Sequence, residues 1–162
     1  MTTRSPLVLI VDDEPHLLSG LRRVLEKEGY EVTTALDGET ALQLAREKKP
    51  DVVLLDIMMP GMDGREACRR IREVAEGVQV IYITARAELN DPLQLKRLRS
   101  EANAFITKPT TSKRIISAVN GLSRSTRQQP EESQLCRTGQ LTKAEDYSQS
   151  TEASEDDRRP IR

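Results

Sequence analysis

The 162-residue chain has little of several things that would announce a function. It has two cysteines, Cys68 and Cys136, too few for a disulfide framework, and the simplest compartment for such a chain is the reducing cytoplasm. It has one histidine, His16, read as an exposed residue at the start of a helix. It has no surplus of charge: 25 Lys and Arg face 26 Asp and Glu, and residues 1–122 hold 18 of each sign. Residues 123–162 hold 7 basic and 8 acidic residues, so neither part carries the electrostatic footprint expected for direct nucleic-acid binding. No run of 18 apolar residues is present, which excludes a transmembrane helix, and Met1 to Pro6 lacks the apolar core and cleavage site of a signal peptide. No G-x-x-x-x-G-K or post-strand G-x-G-x-x-G phosphate cradle occurs, so Gly61 and Gly64 do not form one. There are no internal repeats.

What is present is apolar sequence in short blocks. Leu7 to Val11 is five apolar residues in a row, Val52 to Leu55 is four, and Val78 to Ile83 is nearly all apolar and rich in β-branched residues. Such unbroken runs fit strands buried on both faces of a parallel sheet. Glu31 to Ala35 and Asn103 to Thr107 are two weaker strands. Between them lie helical periodicities. Leu17, Leu18, Leu21, Val24 and Leu25 make one face, opened by Pro15 and stopped by Gly29. Ala41, Leu42, Leu44 and Ala45 make a second, closed by Lys48, Lys49 and Pro50. Ala67, Cys68, Ile71 and Val74 make a third, closed by Gly77. Leu93, Leu95 and Leu98 mark a fourth, and Ile115, Ile116, Val119 and Leu122 a fifth. Five repeats of strand then helix predict an α/β fold, a doubly wound five-stranded parallel sheet. After Leu122 the periodicity stops. Residues 123–162 are rich in Ser, Thr, Gln, Glu and Arg, too poor in apolar surface to offset chain entropy, and are expected to be a disordered polar tail without an output domain. A short induced helix over Leu135 to Tyr147 is the alternative there.

Right-handed crossovers place every loop that follows a strand on one edge of the sheet, where ligands of such folds sit. Asp12 and Asp13 follow strand one, Asp56 follows strand three, Thr84 ends strand four and Lys108 ends strand five. Each alone has a bland reading: an Asp after a strand is usually a helix cap, and a lone Thr or Lys is usually solvated. Together they are harder to dismiss. Each carboxylate pair a few ångströms apart costs about 1–4 kcal/mol, depending on the local dielectric, unless one protonates or a cation joins them. Hard oxygen ligands in a small open cluster suit Mg2+, which also welcomes a phosphate oxygen. A carboxylate nucleophile, a divalent cation, a lysine and a hydroxyl are what phosphoryl transfer to an aspartate requires.

Val11-Asp12-Asp13-Glu14-Pro15, Leu54 to Gly64, Thr84-Ala85 and Lys108-Pro109 resemble the corresponding segments of response-regulator receiver domains of two-component signalling, in the chemotaxis-regulator-like superfamily. The resemblance covers about residues 6–122 and is most specific from Asp56 to Gly64. It implies a flavodoxin-like (βα)5 sheet of strand order 2-1-3-4-5 and a phosphorylation switch, cytoplasmic and free of membrane. Asp56 would accept a phosphoryl group from a sensor histidine kinase or phosphotransfer protein. Asp13, Asp56 and the Met58 carbonyl would ligate Mg2+ directly, and Asp12 through water. Lys108 would pair with the phosphoryl oxygens and Thr84 would hydrogen-bond them. Phe105 stands where such domains often place a switch aromatic, and the Lys108–Pro109 peptide would be cis. Met58 and Arg86 flank the site, where similar proteins tune the acyl-phosphate lifetime. Output would pass to an unidentified downstream protein across helix four, strand five and helix five, a face that also allows a homodimer.

The chain departs from the pattern in three places. The stretch from Thr84 to Lys108 is about two residues longer than common and includes Pro92, Glu101 stands where Gly is frequent, and Thr110 stands where an aromatic is frequent. All three lie on the readout face. A rival reading is a phosphorylation-independent interaction module of the same fold. The complete acidic site argues against it, and the unusual region around helix four argues mildly for it. An aspartate-based phosphatase needs an acid-base Asp where Met58 stands, so the chain is not expected to be an enzyme beyond slow self-dephosphorylation. A flavin-binding sandwich needs a Ser/Thr-rich loop where Asp12 to Pro15 stand.

Overall fold

The computed structural model describes residues 4–85 and 90–127. The elements alternate without exception among these residues. They run β1 (Leu7–Val11), α1 (Pro15–Lys27), β2 (Glu31–Ala35), α2 (Gly38–Lys48), β3 (Val52–Asp56), α3 (Gly64–Val74), β4 (Gln79–Ala85), α4 (Pro92–Glu101), β5 (Ala104–Lys108) and α5 (Ser112–Arg127). All strand pairs are parallel, and the sheet order is β2-β1-β3-β4-β5. This is the doubly wound arrangement anticipated from the alternation.

Period-two alternation divides the strands between two cores. Val8, Ile10, Val52, Leu54, Ile81 and Ile83 face α1 and α5, where Leu18, Leu21, Leu25, Ile115 and Val119 are buried. Leu9, Val11, Val53, Leu55, Val80 and Tyr82 face α2, α3 and α4. Every residue of β1 and β3 is buried, which is why those runs contain no polar positions until Asp56. The helix starts follow from local chemistry. Asp37 accepts from Thr40 N at 2.7 Å, Asp63 from Arg65 N at 3.1 Å and Asp91 from Leu93 N at 2.9 Å, while Pro15 and Pro92 occupy first turns. Past the end of α1, Gly29 turns the chain at φ 89°, a conformation glycine adopts without steric cost.

Three elements have boundaries that differ from the sequence reading. Strand β4 runs one residue past Thr84, to Ala85, and β5 starts at Ala104 and includes Lys108. Helix α5 continues five residues beyond Leu122, to Arg127. Ser123 is buried there, its hydroxyl 3.1 Å from the Tyr30 hydroxyl, and Tyr30 also donates to Asn120. A polar contact with Tyr30, the residue before β2, thus accompanies the helix past the point where the apolar periodicity ends. Residues 128–162, with Cys136 and the segment Leu135 to Tyr147, lie outside the described residues, as does Arg86. No helix among the described residues is long and apolar enough to cross a membrane.

Candidate functional site

The carboxyl edge of β1, β3, β4 and β5 brings the predicted residues together. Oxygens of Asp12, Asp13 and Asp56 lie within 4.8 Å of one another. Asp12 and Asp56 are buried, and Asp13 is exposed. The two buried carboxylates are held alike. Oδ1 of Asp12 accepts from Glu14 N at 2.9 Å, and Oδ1 of Asp56 accepts from Met58 N at 2.9 Å. These are bonds from an aspartate to the backbone two residues on, the local pattern that lets Asp turn a chain. The helix-cap reading of Asp12 does not hold: α1 is opened by Glu14 and Pro15 with no side-chain cap, and Asp12 turns the chain just before it. The other oxygen of each points to one ammonium: Lys108 Nζ donates to Asp56 Oδ2 at 2.8 Å and to Asp12 Oδ2 at 3.3 Å.

Lys108 reaches both carboxylates from the end of β5, where the following Lys108–Pro109 peptide is cis. Burial pulls its pKa down, but the hydrogen bond it donates to Asp56 and the charges of Asp56 and Asp12 outweigh burial, so the pKa lies above the ordinary lysine value. The ammonium is thus held charged. One lysine against three carboxylates leaves the cluster with excess negative charge, and its donors are hard oxygens on an open sheet edge. That donor set fits a small divalent cation such as Mg2+.

Thr84 sits in β4 one residue beyond Ile83, the register partner of Asp56, and is fully buried. Its hydroxyl donates to the Ala85 carbonyl at 3.2 Å. Met58 is 65% exposed and so is not part of the core packing. Phe105 is half-buried against the α2–α4 core, with the Arg99 guanidinium 6.0 Å above its ring. His16 is exposed, and Cys68 is buried in α3.

Sequence reasoning missed two features. The first is the closeness of α3 to the end of β3. A Cβ on Gly64 would lie 2.6 Å from the Asp56 carbonyl oxygen and 2.7 Å from Ile57 Cα, so only glycine allows the loop to close there. Its position in the Asp56–Gly64 segment was the available signal. The second is a bidentate ion pair of Arg65 with Glu101, close to Tyr82. Glu101 was noticed only as a departure from a family pattern.

Comparison with known proteins agrees with this geometry. The model of the response regulator receiver domain matches residues 8–120. Among solved structures, a CheY-like response regulator receiver domain protein from Methanospirillum hungatei JF-1 is 26% identical over 78% of this chain and all of its own, with a TM-score of 0.71. A Francisella response regulator receiver domain is 29% identical over 75% of this chain and 99% of its own, TM-score 0.66. One from Clostridium thermocellum is 27% identical over 75% and 97%, TM-score 0.68. The chain belongs to the response regulator receiver domain family, which places it in phosphorylation-based two-component signalling. Receiver domains are in general phospho-acceptors rather than enzymes.

Proposed function

We propose that Asp56 is the phospho-acceptor and that the domain is a switch read by protein partners. The observation that carries this is the sharing of one ammonium by Asp12 and Asp56 beside the exposed carboxylate of Asp13. In the transfer, an Asp56 oxygen attacks the phosphorus of a phosphohistidine on a sensor kinase or phosphotransfer protein. The P–O bond forms, the P–N bond breaks, and its electron pair stays on the imidazole nitrogen. Lys108 is placed to trade its hydrogen bond with the free acceptor for one with the arriving phosphoryl oxygens. Asp13 and Asp56, with the Met58 carbonyl, would hold Mg2+ directly and Asp12 through water. When bound, the ion neutralises charge developing on the phosphoryl oxygens.

Thr84 is the responding residue in this account. A new dianion beyond Asp56 draws the Thr84 hydroxyl from the Ala85 carbonyl, and Phe105 moves into the space released. An apolar groove of about 440 Å3, lined by Leu17, Leu21, Ala85, Pro109 and Ile115, opens beside Lys108 and offers a partner a seat next to the acceptor. Output passes across α4, β5 and α5 to a protein partner, with a homodimer through the same face as one form. The domain comprises residues 6–122, with α5 running on, and the remaining polar sequence serves as a tail. The setting is the cytoplasm, and self-dephosphorylation ends the signal.

Incubating the protein with Mg2+ and acetyl phosphate tests the assignment by intact mass. One added phosphoryl group on the native chain and none on Asp56→Asn is expected. No addition to the native chain would favour the phosphorylation-independent interaction module instead.

A further inference from the structure

Helix α4 is poorly anchored by apolar contacts. Leu98 is its only buried residue, against four in α3 and three in α1, and Leu93 is 70% exposed. A cleft of about 490 Å3 lies along α3 near the end of α4, floored by Cys68 and Tyr82. What holds α4 is concentrated in its last turn. Leu98 enters the core, Arg99 lies over Phe105, and Glu101 meets Arg65.

The Glu101 contacts are unusually complete for an element this exposed. Arg65 Nε donates to Oε2 at 2.8 Å, and Arg65 Nη2 donates to Oε1. The Tyr82 hydroxyl approaches Oε2 at 3.5 Å, and the Cys68 thiol faces the Glu101 backbone carbonyl at 3.7 Å. Both side chains of the pair are about two-thirds covered. Fork-to-carboxylate geometry of this kind fixes direction as well as charge. The Arg65 hydrogen bonds hold the Glu101 carboxyl below its usual range, so the pair stays charged.

Arg65 is also one residue from Gly64, whose backbone closes against Asp56 and Ile57, and its N–H is fixed by Asp63. The loop that follows Asp56 therefore runs into the first turn of α3, where Arg65 grips α4. We propose that the Arg65–Glu101 pair is a latch. It fixes the C-terminal end of α4 to the first turn of α3, directly after the loop that follows Asp56, and its loosening is the step that passes a change at Asp56 to α4. This rests on the reading of Asp56 as the phospho-acceptor.

Hydrogen–deuterium exchange on the full chain tests it. In unphosphorylated protein, Glu101→Gln and Arg65→Gln should each speed exchange across α4 about tenfold, the value of one partly exposed charge-assisted pair. Exchange in α1 and β3 should stay unchanged. The double variant should exchange no faster than either single one, as expected for two residues acting through one contact. Phosphorylation should speed α4 exchange in the native chain and add little in Glu101→Gln. Unchanged α4 exchange in the single variants, a rise spread evenly over the domain, additive single effects, or an undiminished response to phosphorylation in Glu101→Gln would each overturn the latch. If Asp56 takes no phosphoryl group while the single variants still loosen α4, the tie between α3 and α4 stands, and the Asp56 reading and signal transmission fall. If Asp56 is phosphorylated and α4 is indifferent to Glu101→Gln, only the latch falls.

Discussion

Replacing Asp13 by Asn should stabilise the metal-free protein and cripple it as a metal binder. Asp13 is exposed, and one of its oxygens lies within 4.8 Å of oxygens on both Asp12 and Asp56. Two charges at that separation repel by roughly 1 kcal/mol in water and by about four times as much at the dielectric of a protein surface. Asp13 faces solvent, so the lower figure applies to each of its two neighbours, and attraction to Lys108 offsets part of the sum. A net gain of about 1 kcal/mol for Asp13→Asn in the absence of metal follows. With Mg2+ the order reverses. The native chain gains RT ln(1 + [Mg2+]/Kd) from a site that needs the Asp13 carboxylate, and the variant gains far less. Urea titrations with EDTA and with saturating Mg2+ read both signs. A variant less stable than the native chain in EDTA, or one stabilised equally by Mg2+, would refute the reasoning that three carboxylates converge here to hold a cation.

Other substitutions probe the supports of the site. Gly64→Ala drives a methyl into the Asp56 carbonyl and Ile57 backbone, so a loss of about 2 kcal/mol by urea denaturation and slower phosphorylation are expected. Asp37→Ala removes the cap of α2 and should cost about 1 kcal/mol at neutral pH, while Asp37→Asn should cost little. The Thr40 backbone bond holds the Asp37 carboxyl below its ordinary value of 3.8. A depressed folded pKa gives stability that is present above the unfolded pKa and lost as pH falls through the folded one. The gap between native and Asp37→Ala should therefore narrow, and only below about pH 4, in pH-stepped unfolding. Tyr30→Phe removes the hydroxyl bonded to Asn120 and Ser123, and should cost about 1 kcal/mol and raise exchange at the end of α5 without altering its middle turns.

The strands were legible because a parallel sheet with both faces covered leaves only apolar residues in its central strands, as in Val52 to Leu55. The site was legible because alternation of strand and helix sends the ends of β1, β3, β4 and β5 to one edge, so residues 12, 56, 84 and 108 could be placed together before any distance was known. What escaped depends on contacts distant in sequence. Arg65 and Glu101 are 36 residues apart, and neither sits in an apolar rhythm that would reveal the pairing. The end of α5 depends on Tyr30, 93 residues from Ser123, so counting apolar positions stopped the helix at Leu122. The placement of Arg99 over Phe105 was hidden for the same reason: Phe105 read as a candidate switch aromatic, with no sign of which neighbour would cover it.

The most direct test is crystallographic, on protein grown with Mn2+ in place of Mg2+ and with a beryllium fluoride adduct of Asp56. An anomalous peak coordinated by Asp13, Asp56 and the Met58 carbonyl, with Lys108 Nζ on a fluoride of the adduct and the Thr84 hydroxyl turned towards another, is the expected result. Metal bound away from residues 12, 13 and 56, or a lysine that stays off the adduct, would contradict it.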